Sequence, residues 1–352
     1  MKQRLSPDFF TIPVEQIKNG FFSDSYFMRT QEILIKDNHR PRVIMQVFQR
    51  QHAVICGVDE AIAIIRKCAH DPDSLVIHAL HDGDHIEPWE TVMTIEGDLA
   101  NFSHLETVYL GVLSRQTKIA TNVQRVVAAA NGKPVLFFPS RFDHYAVQAS
   151  DGYAAHIGGI YGVSTPANGS LWGSEALGTI PHALIAVYGG DTVRASKAFD
   201  AYIDPQVNRV ALVDFSNDCV GTALAVAKEM GDKLWAVRLD TADNLIDVSV
   251  LPQMGTFKPT GVCPQLVLNV RQALDSEGFS HVKIMVSGGF TADRIAQFET
   301  ANLPVDVYAV GSSLYNDNVN FTADIVMLEG KLSAKVGRSY RPNPRLTLVE
   351  EG

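Results

Sequence analysis

The 352-residue sequence contains no apolar run near the roughly 18 residues that a membrane-spanning helix needs. Its first residues, MKQRLSPDFF, carry no apolar signal-peptide core. A cytoplasmic protein with no membrane partner is therefore expected. Basic residues are not in surplus either: 30 Lys and Arg against 39 Asp and Glu give a formal net charge of −9. That balance argues against nucleic acid as a main partner, since phosphate-backbone binders present a broad basic surface. Small anions stay open as ligands, because a few buried arginines can make a local positive pocket on an acidic protein. Cysteine is scarce. Cys56, Cys68, Cys219 and Cys263 lie far apart and form no CxxC pair, which reads as reduced thiols rather than a disulfide framework or a zinc site. Internal repeats, low-complexity segments, a Ser-His-Asp arrangement and a paired-carboxylate motif are also missing.

What remains has an ordinary globular composition, 46% hydrophobic and 20% charged. The length suits one barrel of roughly 200–250 residues with a smaller companion domain. Three zones are expected. Residues 1–115 mix short strand-like runs with helices: RVIMQVFQR (42–50) reads as a half-buried strand, VDEAIAIIRKCA (58–69) as a helix, and the turns DGD and EGD in 81–98 suggest a hairpin of an α+β sandwich domain. Residues 116–318 change to a βα alternation that opens with a helix from Thr117 ending at Gly132. Apolar runs at 135–141, 210–218, 234–243, 282–289 and 307–313 each end in polar or glycine residues, with helix candidates between them. Buried parallel strands read as continuous apolar runs, so this zone is expected to be an α/β, TIM-like barrel. Residues 319–352 suggest a hairpin turning at Glu329-Gly330 that returns to the first domain and completes it.

Polar residues at the C-terminal ends of barrel strands converge on one face, where active sites of that fold sit. Ser140 and Arg141, Asp214, Arg238 and Asp240, Ser287, Gly288 and Gly289, and Gly311, Ser312 and Ser313 all occupy such ends. The SGG and GSS segments fit phosphate, because glycines let backbone N–H groups approach closely; tight turns are the alternative. Arg238 and Asp240, two residues apart, point the same way and suit either a site or a salt bridge to the next strand. Arg141 can hold a carboxylate or pyrophosphate through two parallel hydrogen bonds. Alone, His182 in GTIPHALI reads as a capping or core histidine, and SDSY (23–26) as a loop.

The motifs SDSYFMRT, VLFFPSRFDHYAVQASDGYAAHIGG, YGVSTPANG, GTIPHALI, AVRLDTAD, MVSGGF, YAVGSSL and KLSAKVGR occur in that order. Together they resemble the nicotinate phosphoribosyltransferases, from about Asn19 to Tyr340. The resemblance implies a two-domain type II phosphoribosyltransferase that moves ribose 5-phosphate from phosphoribosyl pyrophosphate to the ring nitrogen of nicotinate. It further implies a homodimer or higher homo-oligomer with active sites at the subunit interface. Phe138 would lie on one face of the pyridine ring, and Tyr26 of a neighbouring subunit on the other. Arg141 and Arg238 would face the carboxylate or phosphates. Asp240 would hold the ribose hydroxyls and, through water, Mg²⁺, with Asp243 available to the same ion. Ser287, Gly288, Gly289, Gly311, Ser312 and Ser313 would take the 5-phosphate. His182 matches a histidine phosphorylated when ATP, as co-substrate, is coupled to transfer. Lys335 and Arg338 match a basic segment that reaches phosphates, with a solvated surface as the other reading.

Two departures stand out. Many family members carry two adjacent arginines where this chain has Ser140-Arg141, and the usual SGD after the strand aspartate is Thr241-Ala242-Asp243 here. Quinolinate or nicotinamide transfer are the rival activities. The first should need a denser basic pocket, and the second tends to go with an acidic residue where Ser164 falls. A barrel that binds a phosphorylated ligand without turning it over is the reading from another class.

Overall fold

The computed structural model describes residues 3–350, and the chain separates into two compact units. One comprises the N-terminal segment up to Asn122, Tyr153–Gly158 and the C-terminal segment from Asp317. The other comprises Val123–Gly152 and Gly159–Asn316.

In the first unit, strand Arg42–Phe48 is flanked by Thr91–Asp98 and Thr322–Leu328, both antiparallel to it. The full sheet order is Lys331–Leu332, Thr322–Leu328, Arg42–Phe48, Thr91–Asp98, Val76–Ala79, Thr347–Leu348. Glu329 (φ 48°) and Gly330 (φ 71°) make the turn between the first two, a pair of left-handed residues that suits the twist of a two-residue hairpin. Helix Val58–Cys68 starts with Asp59 and Glu60 and ends with Arg66 and Lys67, charges that complement the helix dipole. Its Ala61, Ile62, Ile64 and Ile65 join Ile77, Met93, Ile95 and Tyr109 in one core. The 81–98 stretch differs from the expected hairpin. His85–Ile86 pairs with Ala53–Val54, while Thr91–Asp98 pairs with Val76–Ala79, because Pro88 and Trp89 (φ 69°) redirect the chain between them.

The long helix begins at Glu106 rather than Thr117 and runs to Ala129. Buried Tyr109, Leu113 and Gln116 extend its inner face toward the N-terminus.

The second unit is mixed α/β. Its six parallel strands run in the order Gly162–Val163, Val135–Phe137, Val307–Val310, Lys283–Val286, Leu234–Leu239, Arg209–Leu212. Helices Cys219–Met230, Pro264–Ser276 and Ala292–Thr300 fall between strands, as βα alternation requires. No pairing joins the first strand to the last among the described residues, so the TIM-like barrel expected from sequence is met only as a curled half-barrel. Leu136, Val210, Ala236, Met285, Val307 and Ala309 pack together within it. Register aligns the strand ends: Val286 lies opposite Leu239 and Tyr308, and Val310 opposite Phe137. The residues that follow each strand therefore emerge along one edge.

Candidate active site

Along that edge lies a cavity of about 710 Å³, lined in part by Phe138, Arg141, His182, Arg238, Asp240 and the two glycine-bearing loops. Arg238 leaves strand Leu234–Leu239 and donates from all three of its nitrogens. Nε reaches Ser287 Oγ at 2.9 Å, Nη1 reaches Thr179 Oγ1 at 3.0 Å, and Nη2 reaches Asp240 Oδ2 at 2.9 Å. Ser287 Oγ in turn donates to Asp240 Oδ1 at 2.7 Å. Such a lattice fixes the guanidinium and leaves its remaining Nη hydrogens for a ligand. The same guanidinium stands 5.8 Å over the Phe138 ring.

The loop Ser287–Gly289 turns with Gly288 at φ 82° and Gly289 at φ 70°, a conformation that L side chains rarely adopt. A Cβ on Gly288 would also come within 3.4 Å of Asp240 Oδ1. Just after it, Thr291 caps helix Ala292–Thr300 by accepting from the Arg294 N–H. Arg294 Nη1 donates to the Gly288 carbonyl at 3.1 Å, and its guanidinium covers the Phe290 ring at 4.4 Å. Burial lowers the Arg294 guanidinium below its ordinary range. Ser313 Oγ donates to the Phe290 carbonyl at 2.7 Å, so the two glycine-bearing loops are tied to each other.

His182 opens helix His182–Val187, and its Nε2 lies 3.0 Å from Asp214 Oδ1. Burial pushes the Asp214 carboxyl up, and the His182 ring works against that shift. Arg141 is exposed and touches the Phe142 ring at 5.2 Å. Ser140 is buried, with its Oγ 3.2 Å from Ser164 Oγ.

Of the residues singled out from sequence, the cavity brings together Phe138, Arg141, Ser164, His182, Arg238, Asp240, Ser287, Gly288, Gly289, Gly311, Ser312 and Ser313. Asp243 is exposed and is not among its lining residues. Tyr26, Lys335 and Arg338 belong to the other unit and do not line it. There Tyr26 is 58% exposed, and Arg338 Nε pairs with Asp324 at 2.7 Å. Sequence reasoning gave no site role to Thr179, Gln148 or Thr165, and noted Asp214 only as a strand end. Thr179 sits inside the GTIPHALI motif and Thr165 inside YGVSTPANG, so the signal was present, but a loop hydroxyl announces no partner.

The donor set does not by itself make a metal site. Both Asp240 oxygens are taken by Arg238 and Ser287, and no cluster of three His, Cys, Asp or Glu suited to a metal occurs among the described residues.

Residues 24–117 match the family described as quinolinate phosphoribosyl transferase, N-terminal domain. A nicotinate phosphoribosyltransferase of Mycobacterium tuberculosis is 32% identical over 348 residues, covering 89% of this chain and 73% of the relative. One from Bacillus subtilis is 25% identical, covering 83% and 62%. Among solved structures, the nicotinate-nucleotide pyrophosphorylase of Pyrococcus furiosus superposes with a TM-score of 0.82 at 35% identity, covering 99% of this chain and 86% of that one. Human nicotinic acid phosphoribosyltransferase shares the fold, with a TM-score of 0.64 at 16% identity, covering 89% and 76%. With a 32% identical relative matched over most of both chains, this chain belongs to the nicotinate phosphoribosyltransferase family.

Proposed function

We infer that the protein is a nicotinate phosphoribosyltransferase, forming nicotinate mononucleotide and pyrophosphate from nicotinate and phosphoribosyl pyrophosphate in NAD salvage. One observation carries the reading: a cation locked against a carboxylate beside an aromatic ring, facing two glycine-bearing loops in one cavity. In this reading the curled parallel sheet serves as the barrel of a type II phosphoribosyltransferase, in a cytoplasmic homo-oligomer.

The chemistry asks for charge placement rather than a strong base. The bond from ribose C1 to the pyrophosphate oxygen breaks, the electron pair leaves with pyrophosphate, and C1 joins the pyridine nitrogen. That nitrogen is already nucleophilic. Negative charge grows on the leaving group, where Arg141 and Arg238 are in reach, and positive charge on the sugar, where Asp240 is the nearby anion. Phe138 offers a face to the pyridine ring. Ser287–Gly289 and Gly311–Ser313 present backbone N–H groups to the 5-phosphate. Tyr26, Lys335 and Arg338 are assigned to a neighbouring subunit's site. Mg²⁺ is the proposed cofactor: Asp240, with Asp243 as a second candidate, would hold it through water, and it would neutralise charge on the leaving pyrophosphate.

ATP is the proposed co-substrate: the bond between its γ-phosphorus and the β–γ bridging oxygen breaks, ADP leaves with the electron pair, and the γ-phosphoryl group passes to His182. When His182 donates its Nε2 hydrogen to Asp214, Nδ1 keeps the lone pair that attacks phosphorus. Radiolabelled ATP should leave acid-labile label on the wild type and none on His182→Ala; equal labelling, or none on either, removes this step.

A dicarboxylate acceptor is the second reading, favoured by the domain family that residues 24–117 match. The cavity counts against it, since Arg141 and Arg238 are its only Lys or Arg among the described lining residues. Product formation with nicotinate, nicotinamide and quinolinate at equal concentration tests the assignment. Nicotinate should lead, and a tenfold preference for either rival would overturn it.

A further inference from the structure

Behind the cavity wall sits Asn168, 0% exposed, with every polar atom engaged. Its Nδ2 donates to the Gln148 carbonyl at 2.7 Å. A carbonyl only accepts, so this contact fixes the amide's orientation and turns Oδ1 toward Ser140 and Thr165. Oδ1 accepts from Ser140 Oγ, and Thr165 Oγ1 lies 2.8 Å from it, with its single hydrogen divided between Oδ1 and Gln148 Oε1 at 2.9 Å. The Asn168 N–H donates to Thr165 Oγ1 at 3.2 Å, and its carbonyl accepts from Trp172 Nε1 at 2.8 Å. The backbone is equally tight there: a Cβ on Gly152 would fall 1.9 Å from the Asn168 oxygen. Helix Gln148–Ile157, the Ser140 segment and the turn Pro166–Gly169 thus meet at one residue.

Hydrogen directions follow from that fixed amide. Ser140 commits its one hydroxyl hydrogen to Asn168, so in its contact with Ser164 it can only accept. The donor order is Ser164 to Ser140 to Asn168 to Gln148. Ser140, Ser164, Thr165 and Gln148 all line the cavity, whereas Asn168 does not.

We propose that Asn168 is a positioning residue for the acceptor side of the site, holding Ser140 and Ser164 so that their hydroxyls complete the cavity wall beside Phe138 and Arg141. The role rests on the transferase reading of this cavity. Asn168 acts through Ser140, and the glycine-bearing loops on other strands do not depend on it.

The test compares Ser140→Ala, Asn168→Ala and the double variant. Each single change should raise KM for nicotinate about five- to tenfold, with kcat and KM for phosphoribosyl pyrophosphate within about twofold, and the double should be no worse than the weaker single, because the two act as one unit. Additive effects, or kcat and both KM values worsening together, overturn the proposal. Should Asn168→Ala fail to fold, Ser140→Ala decides alone, and an unchanged KM for nicotinate sinks the idea. Hydrogen exchange gives a second arm that needs no turnover: Asn168→Ala should accelerate exchange in 138–148 and leave 283–290 unchanged. Protection retained in 138–148 rejects the positioning role. Absence of nicotinate turnover in the wild type would defeat the functional reading alone, leaving exchange to judge Asn168.

Discussion

Arg238 and Arg141 both face the cavity, yet they are held in opposite ways. Arg238 is pinned by Thr179, Asp240 and Ser287 at 2.9–3.0 Å. Arg141 is exposed, and its recorded contact is the Phe142 ring. A pinned guanidinium has lost its rotamer freedom before substrate arrives, so its interaction with developing charge needs little reorganisation. An unpinned one must be ordered by the ligand and returns less. The contrast teaches that two equal charges at one rim need not be equivalent: on the proposed reading, Arg238 suits the transition state and Arg141 suits capture.

The sharpest way to break this contrast is at Arg238. Arg238→Ala should lower kcat/KM by roughly 10²–10³, about 3–4 kcal/mol, in line with the loss of one preorganised charge-stabilising donor. Arg238→Lys should recover little, because one ammonium cannot meet three partners on separate elements. A Lys variant within threefold of wild type would show that only the charge matters. Next in size, Gly288→Val forces a β-carbon onto a φ of 82° and toward Asp240. KM for phosphoribosyl pyrophosphate should rise at least about tenfold in a folded protein, since close backbone approach to phosphate needs glycine. An unchanged KM would make the segment a mere turn. Arg141→Lys should cost only about three- to tenfold, mostly in KM for nicotinate, with kcat steady as expected for uniform binding. A loss as large as at Arg238 would erase the contrast.

A different kind of effect, on stability rather than turnover, is expected in the other unit, at the Asp82 carboxyl. Desolvation, with Asp59 adding to it, pushes Asp82 to about 7, although it accepts from the Val58 N–H at 2.8 Å and the Tyr153 hydroxyl at 3.1 Å. A raised carboxyl pKa means the folded state holds its proton longer, so stability present below about 4 is lost as pH climbs toward 7 and beyond. Asp82→Asn should therefore raise Tm by a few degrees at pH 8, about 1–2 kcal/mol, and by much less at pH 4. Equal shifts at both pH values would remove the titration from the explanation.

Continuous apolar runs made the parallel strands at 135–137, 209–212, 234–239, 283–286 and 307–310 readable, because burial on both faces leaves no room for alternation. Strand Gly162–Val163 is too short to show any period. Two antiparallel partners of Arg42–Phe48 lie far apart in sequence, and pairing across such distances leaves no local trace. The candidate site was legible where chemistry is concentrated, as in Arg238-Leu-Asp240. It was illegible where the arrangement depends on who meets whom: Thr179 with Arg238, His182 with Asp214, Asn168 with Ser140. Those pairings are consequences of topology, and threonine or asparagine in a loop has many satisfactory alternatives.

Strand Thr322–Leu328 is hydrogen-bonded to Arg42–Phe48, with the whole parallel-sheet unit lying between them in sequence. On a ribosome this order has a cost in time. At about 5–20 residues per second, Arg42–Phe48 is out for on the order of 15–50 seconds before its neighbour is synthesised. During that wait one of its edges is an open template for strangers, the hazard that unpaired strands carry in crowded solution. A strand made early should thus be among the last to become safe, and nascent-chain protection should be needed there more than at the strands of the parallel sheet.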